Sequence, residues 1–202
     1  MLIKDLLFRY ETEKAPETID KIFEISNIRN RELLLNDITS EVADNIDGFI
    51  RFYNNIDDEQ NVPKEDRKPI KIYINSYGGS VTASFQIIDS ISLSKTPIWT
   101  INVGCAYSSG LEIFMAGHRR FSYPLATFLF HEGASAFEGD ANKFRNYALF
   151  YDLLLKKSKA NVLKFTKLTE EEYDKHSKDD WWFMAEEAVE KGFCDEIVKD
   201  FI

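Results

Sequence analysis

Residues 104–110 read GCAYSSG, and they connect an apolar run at residues 98–103 to a second apolar run at residues 109–115. The first run predicts a buried strand and the second a helix, so the segment between them predicts a tight turn. A hydroxyl on such a turn is held clear of its neighbours, and the start of the helix behind it favours negative charge. The turn therefore presents Ser108 or Ser109 as a candidate nucleophile.

Strands and helices alternate on both sides of this turn. The sequence predicts strands at residues 31–35 and 70–75, and helices that begin behind Thr39 and at Val81. From the second strand onward the order is strand, helix, strand, helix, strand pair and a long helix over residues 140–165. This alternation is typical of a layered α/β fold with a mainly parallel sheet.

The length and charge of the chain limit the classes of protein to which it can belong. Its 202 residues suit one domain, which we place at residues 31–202 behind an N-terminal arm of unclear role at residues 1–30. The formal net charge of −9 argues against nucleic acid and anionic membranes as main partners. No stretch reads as a signal peptide or a membrane span, so we expect a cytoplasmic protein.

Polar side chains away from the turn have ordinary interpretations. The charged, proline-flanked segment at residues 57–69 predicts an exposed loop whose carboxylates face solvent. Cys105 and Cys194 lie in apolar contexts without the spacing of metal ligands, so we expect buried reduced thiols. The three histidines are far apart in the sequence, and we expect neither a metal site nor another cofactor.

Three further motifs surround the turn in the sequence. Before it, Gly78 and Gly79 separate a strand from a helix and offer backbone N–H groups that no side chain covers. After it, His131 ends a very apolar strand, and Asp179 and Asp180 precede an apolar run and a predicted helix. Each motif alone is ordinary: a tight connection, a core histidine, a helix cap. Their order in one chain favours a single catalytic site.

These motifs resemble the ClpP family, the proteolytic subunits of the Clp protease. The family patterns Tyr-Ile-Asn-Ser-x-Gly-Gly, Gly-x-x-x-Ser-x-Gly and an apolar strand ending in histidine are present at residues 73–79, 104–110 and 128–131. The last family element, an aspartate followed by an apolar run and Ala-x-Glu-Ala-x-x-x-Gly-x-x-Asp, is present at residues 180–195. The resemblance extends over about residues 30–200. It implies a ClpP/crotonase-like layered ββα superhelix with a mainly parallel sheet and a long handle helix.

The resemblance implies a serine endopeptidase with a catalytic triad of Ser108, His131 and Asp180. The family spacing selects Ser108 as nucleophile and leaves the N–H of Ser109, with that of Gly79, to form the oxyanion hole. Counting back from the last motif favours Asp180, and Asp179 stays an alternative for the triad acid.

Peptide binding follows from the same resemblance. Gly78, Gly133, Ala134 and Ser135 would hold an extended peptide by adding it as a strand, which favours short or unfolded polypeptides as substrates. Two other functions compete: an inactive ring scaffold and a crotonase-like acyl-CoA enzyme. The ordered serine, histidine and aspartate argue against both.

Assembly is a further implication. In the family the long helix is the handle through which two rings meet, and here its apolar residues predict one stripe: Phe144, Tyr147, Ala148, Tyr151, Leu154, Leu155 and Val162. We therefore expect a homo-oligomeric ring, or two stacked rings. An ATPase unfoldase is the family's other partner. Residues 1–30 do not resemble the family's N-terminal arm, so the sequence leaves that partner open.

Overall fold

The computed structural model describes residues 26–133 and 138–202. Its main elements, in chain order, are β1 (Glu32–Leu35), α1 (Ser40–Glu59), β2 (Ile70–Ser76), α2 (Val81–Leu93), β3 (Ile98–Tyr107), α3 (Ser109–Met115), β4 (Arg119–Ser122), β5 (Thr127–Phe130), α4 (Ala141–Phe165), α5 (Glu170–His176), β6 (Trp181–Met184), α6 (Ala185–Glu190) and β7 (Glu196–Ile197). The predicted order of elements around the turn is confirmed.

A mainly parallel sheet organises these elements, as the sequence predicts. Its strands follow the order β1-β2-β3-β4-β7 and pair in parallel. β3 is long enough to pair with β4 through its first half and with β5 through its second half, both in parallel. The carboxyl ends of β3 and β5 therefore lie side by side, and both lead into predicted site residues.

One strand was not predicted. The sequence places Asp179 and Asp180 in front of an apolar lead-in to a helix, whereas the residues after them form β6, which pairs antiparallel with β5. Four apolar residues are too few to show whether they form a strand or the approach to a helix. The pairing matters because Phe130 lies opposite Trp181, so the residues that follow β5 and precede β6 are neighbours.

Helices pack against the sheet and share the main core with it. Ile70, Ile72 and Ile74 alternate along β2 and are fully buried in the same cluster as residues from α1, α2 and α3. A smaller cluster on Ile101, Phe121 and Val198 stands apart from it. The period-two pattern of β2 thus fixes which side chains point to the helices.

Capping side chains fix the helix starts that the sequence predicts. The Thr39 hydroxyl accepts a hydrogen bond from the N–H of Val42 and begins α1. Thr169 and Glu172 form the predicted capping box at the start of α5. Each such cap satisfies N–H groups that have no partner within the helix.

The predicted exposed loop at residues 57–69 is partly wrong. Asp57 belongs to the last turns of α1, where its side chain is 2% exposed and accepts two hydrogen bonds from Arg31, at 2.6 and 2.8 Å. The Thr96 hydroxyl donates to the same carboxylate at 2.7 Å. Asp58 pairs with Arg67 and Lys95. These partners are distant in sequence. The local pattern of charges therefore predicted carboxylates that face solvent, whereas Asp57 and Asp58 form ion pairs that hold the fold together.

Within the part of the chain that the structure describes, no helix is long and apolar enough to cross a membrane. Cys105 and Cys194 are buried free thiols, as expected.

Candidate active site

Ser108 occupies the turn between β3 and α3 in a backbone conformation that serine rarely adopts. Its φ is 53° and its ψ is −124°, and a residue held in such a region typically stores about 1–3 kcal/mol of strain. Backbone hydrogen bonds hold it there: its N–H donates to the carbonyl of Leu129 at 2.9 Å, and its carbonyl accepts from the N–H groups of Leu111 and Glu112. The turn, called the elbow below, is tight as the sequence predicts, and its backbone is strained at Ser108.

The two serines of the elbow have different surroundings. The Ser109 residue is 3% exposed, and its hydroxyl donates to the carbonyl of Gly79 at 3.3 Å. Ser108 is partly exposed and faces a pocket. The Ser109 hydroxyl is therefore engaged in holding the glycine turn, while the Ser108 hydroxyl is accessible.

The Gly78-Gly79 turn lies directly against the elbow. A Cβ atom on Gly78 would stand 3.0 Å from the Cβ of Ser108 and 3.5 Å from its hydroxyl oxygen. Gly79 has a φ of 155°, and a Cβ there would stand 2.5 Å from the carbonyl oxygen of Ile38. Both positions exclude side chains, so the glycines bring bare backbone to the serine.

His131 and Asp180 meet because β5 and β6 are antiparallel neighbours. The Nδ1 atom of His131 lies 3.3 Å from an Oδ1 of Asp180, while Asp179 is exposed at the surface. Of the two aspartates, Asp180, which the motif spacing favours, is thus the one that contacts His131. The carboxylate is not buried: the Asp180 side chain is 57% exposed in the single chain.

Ser108, His131 and Gly133 line one pocket that is open to solvent. Its other walls come from the start of α2, from α3 and from α4; they comprise Val81, Ser109, Glu112, Tyr151, Leu154, Leu155 and Ser158. Ala134 and Ser135, predicted to bind substrate, lie outside the described residues. The structure therefore places the predicted nucleophile and base at one cavity.

Glu112 and Ser158 are site residues that sequence reasoning missed. The Ser158 hydroxyl donates to Oε1 of Glu112 at 2.6 Å and ties α4 to α3 across the pocket. One signal was available: Glu112 is the only charged residue in the run of residues 109–115, one helical turn after Ser108. Its partner lies 46 residues away, beyond the reach of any local pattern.

The apolar side chains of α4 do not form the single stripe that the sequence predicts. Tyr151, Leu154 and Leu155 line the pocket, and Val162 is buried in the core. A second apolar face points to solvent and consists of Leu149, Phe150 and Leu153, with Phe144 also exposed. The residues available to another subunit are therefore mostly different from those predicted.

The other histidines have structural surroundings. His118 accepts the N–H of Ile98 on its Nδ1 at 3.0 Å, and His176 stacks on Trp181 with ring centroids 3.9 Å apart. Of the three histidines, His131 alone lines the pocket with Ser108.

Comparison with known protein families decides the class of protein. The model of the Clp protease family matches residues 29–201. This chain belongs to the Clp protease family. The ClpP resemblance of the motifs is thereby confirmed, and the chain is a ClpP-type serine peptidase.

Curated Clp relatives cover about two thirds of the chain. It is 36% identical over 138 residues, 67% of the chain and 74% of the relative, to "ATP-dependent Clp protease proteolytic subunit 2" of Tropheryma whipplei. It is 33% identical to subunit 2 of Treponema denticola, over 66% of the chain and 68% of the relative. It is 32% identical to subunit 1 of Corynebacterium jeikeium, over 65% and 71%. Both subunit types of ClpP thus resemble the chain to a similar degree.

Proposed function

We propose that this chain hydrolyses peptide bonds in short or unfolded polypeptides through a triad of Ser108, His131 and Asp180. The observation that carries the proposal is the 3.3 Å contact between His131 and Asp180 beside the pocket that Ser108 faces. A serine hydroxyl is too weak a nucleophile at neutral pH unless a neighbouring base accepts its proton. The histidine supplies the base, and the aspartate fixes its orientation.

In the proposed reaction each proton of the first half has a donor and an acceptor. Nδ1 of His131 faces the carboxylate of Asp180, so Nδ1 carries the proton in the neutral ring and Nε2 is free to accept one. The Ser108 hydroxyl oxygen bonds to the peptide carbonyl carbon as its proton passes to Nε2. The resulting imidazolium is stabilised by Asp180 and then protonates the leaving amine. Water, activated by the same ring, hydrolyses the acyl-enzyme.

The N–H groups of Gly79 and Ser109 are our candidates for the oxyanion hole. Support comes from the glycine turn, which bears no side chain and lies against Ser108, and from the position of Ser109 as the first residue of α3, where an N–H has no acceptor within the helix. The Ser109 hydroxyl also donates a hydrogen bond to the Gly79 carbonyl, which ties the two residues to each other. Removing one such donor typically lowers turnover by about 10²–10³-fold.

We assign peptide binding to Gly78, Gly133 and the segment after it, which includes Ala134 and Ser135. Gly133 lies at the pocket edge, directly after His131. An extended peptide that pairs with this backbone is bound mainly through its own main-chain groups, so peptides of many sequences can bind.

Ring assembly is the second half of the proposal. Leu149, Phe150 and Leu153 form an exposed apolar face on α4, and such faces on globular domains usually mark interfaces. A closed ring, or two stacked rings, covers them without leaving open edges. The relatives are named as ATP-dependent, and we propose an ATPase unfoldase as partner on that ground.

Hydrolysis of fluorogenic peptides by matched serine variants tests the nucleophile. Ser108→Ala is expected to lower kcat by a factor on the order of 10⁶, because no other hydroxyl reaches the same position. Ser109→Ala loses one hydrogen bond of about 0.5–1.5 kcal/mol and keeps its N–H, so it is expected to retain at least a tenth of the activity. Equal losses in both variants would contradict the assignment. Folded protein that cleaves no peptide would favour an inactive scaffold.

A further inference from the structure

A buried carboxyl group with one unused oxygen lies in the pocket beside the proposed nucleophile. Oε1 of Glu112 accepts a hydrogen bond from Ser158 at 2.6 Å, whereas Oε2 is buried and has no hydrogen-bond partner. Buried polar atoms without partners are uncommon, and each costs about 1–3 kcal/mol. An orphaned oxygen in a substrate pocket points to a donor that arrives with the substrate.

No positive charge of the described residues offsets this carboxyl group. None of their lysines or arginines pairs with Glu112, and no neighbouring cation acts on its pKa. Burial raises the pKa of Glu112, against the opposing effect of the hydrogen bond from Ser158. A buried acid in these conditions gains from any ligand that brings a positive charge.

The remaining walls of the pocket suit a long side chain with a polar end. Leu154, Leu155 and Val81 supply apolar surface, against which the methylene stem of a lysine or arginine can pack. The Tyr151 hydroxyl is a second buried polar atom without a partner, and it lies close to Gly133. The pocket therefore offers apolar walls and two unsatisfied polar groups, Glu112 and Tyr151.

The spacing between Ser108 and Glu112 places the two residues close together along the chain. The two residues are four positions apart, and the Glu112 N–H donates to the Ser108 carbonyl at 3.2 Å. Four residues of helix rise correspond to about 6 Å, so the backbones of the two residues lie about one helical turn apart. Both residues line the same pocket, so a substrate side chain that enters it beside Ser108 also meets Glu112.

We propose that this pocket receives the side chain of the residue on the acyl side of the scissile bond, and that Glu112 selects lysine or arginine there. The inference rests on the proposed peptidase function and names the substrate class of that same site. A charge-assisted hydrogen bond to a cation is about twice as strong as a bond to a neutral donor. Glutamine is therefore accepted less well than lysine, and leucine leaves Oε2 without a partner.

Peptides that differ only in the residue before the scissile bond test the preference. With lysine, arginine, glutamine or leucine at that position, kcat/KM is expected to favour lysine and arginine over leucine by about ten- to a hundredfold, the range expected for a hydrogen bond to a charged group. Glu112→Gln should reduce the lysine-to-leucine ratio about tenfold or more. Tyr151→Phe should reduce it by a smaller factor.

Ser158→Ala is the matched control. It removes the hydrogen bond between α4 and α3 but leaves the carboxyl group in place. If Glu112 only tied the two helices together, Ser158→Ala and Glu112→Gln would change the lysine-to-leucine ratio alike. We expect Ser158→Ala to keep that ratio within about threefold, since its carboxylate is retained.

Two outcomes separate this inference from the proposed function. A wild-type enzyme that prefers leucine over lysine overturns the role of Glu112, even where Glu112→Gln fails to fold, and leaves the peptidase function intact. A fluorophosphonate reports on Ser108 without needing a side chain in the pocket. Wild-type protein that neither reacts with it nor cleaves any of the peptides contradicts the proposed function and this inference together.

Discussion

Replacing Asp180 by asparagine tests the part of the site that the sequence left open. The substitution keeps the size of the side chain and removes its negative charge. In the proposed reaction that charge stabilises the imidazolium of His131, so its loss should lower kcat/KM and leave the fold unchanged. Asp179→Asn is the matched control, because Asp179 is the neighbouring exposed aspartate.

The distance between the two groups sets the size of the effect. At 3.3 Å, opposite unit charges attract by about 5 kcal/mol at an effective dielectric constant of about 20, and by about 1.3 kcal/mol in bulk water. Because the Asp180 side chain is 57% exposed, the value lies between these limits. At about 1.4 kcal/mol per tenfold in rate, kcat/KM should fall by between about ten- and several-thousand-fold.

We would measure kcat/KM for the hydrolysis of a fluorogenic peptide by both variants. Light scattering and circular dichroism on the same samples exclude loss of assembly or fold as the cause. Asp179→Asn should stay within about twofold of the wild type, as expected for a surface substitution. Full activity in Asp180→Asn, or an equal loss in Asp179→Asn, would refute the assignment of the triad acid.

Two other features of the structure can be tested by substitution. Asp57→Asn removes one partner of a buried ion pair with Arg31 and should lower the free energy of unfolding by about 3–5 kcal/mol in denaturant titrations; an unchanged midpoint would contradict it. Burial acts to raise the pKa of Asp57, but hydrogen bonds from Arg31 and Thr96 outweigh it and hold the pKa below the ordinary 3.8. The stability from this pair is therefore present above pH 3.8 and lost as the pH falls through the lower folded-state pKa, and Asp57→Asn should flatten this acid limb. Phe150→Glu places a charge on the exposed face of α4 and should reduce particle size in light scattering, with activity falling alongside; an unchanged particle would show that this face is not an interface.

The elbow could be predicted from the sequence because its signals are local. An apolar strand, a run of small residues and an apolar helix follow one another within 18 residues, from Ile98 to Met115. The glycine turn at Gly78 and Gly79 is equally local. The order of the motifs along the chain then predicted that they lie close together, because parallel strands end at the same edge of a sheet.

The features that were missed depend on distant partners. Asp57 is charged and follows a helical pattern, and only Arg31, 26 residues away, shows that it is buried. The apolar residues of α4 lie on two faces of the helix. Tyr151 lines the pocket and its neighbour Phe150 faces solvent, and the sequence alone does not distinguish the two. Glu112 was missed although it is the only charged residue in its apolar run, because its partner Ser158 lies 46 residues away.

The most direct measurement of the central claim is fluorophosphonate labelling followed by peptide mass mapping. The reagent bonds only to a serine whose hydroxyl is activated by an aligned base. The account predicts one modified residue, Ser108, in the wild-type protein, with labelling lost in His131→Ala and preserved in Ser109→Ala. Modification at Ser109, or labelling of Ser108 that persists at the same rate in His131→Ala, would contradict the triad.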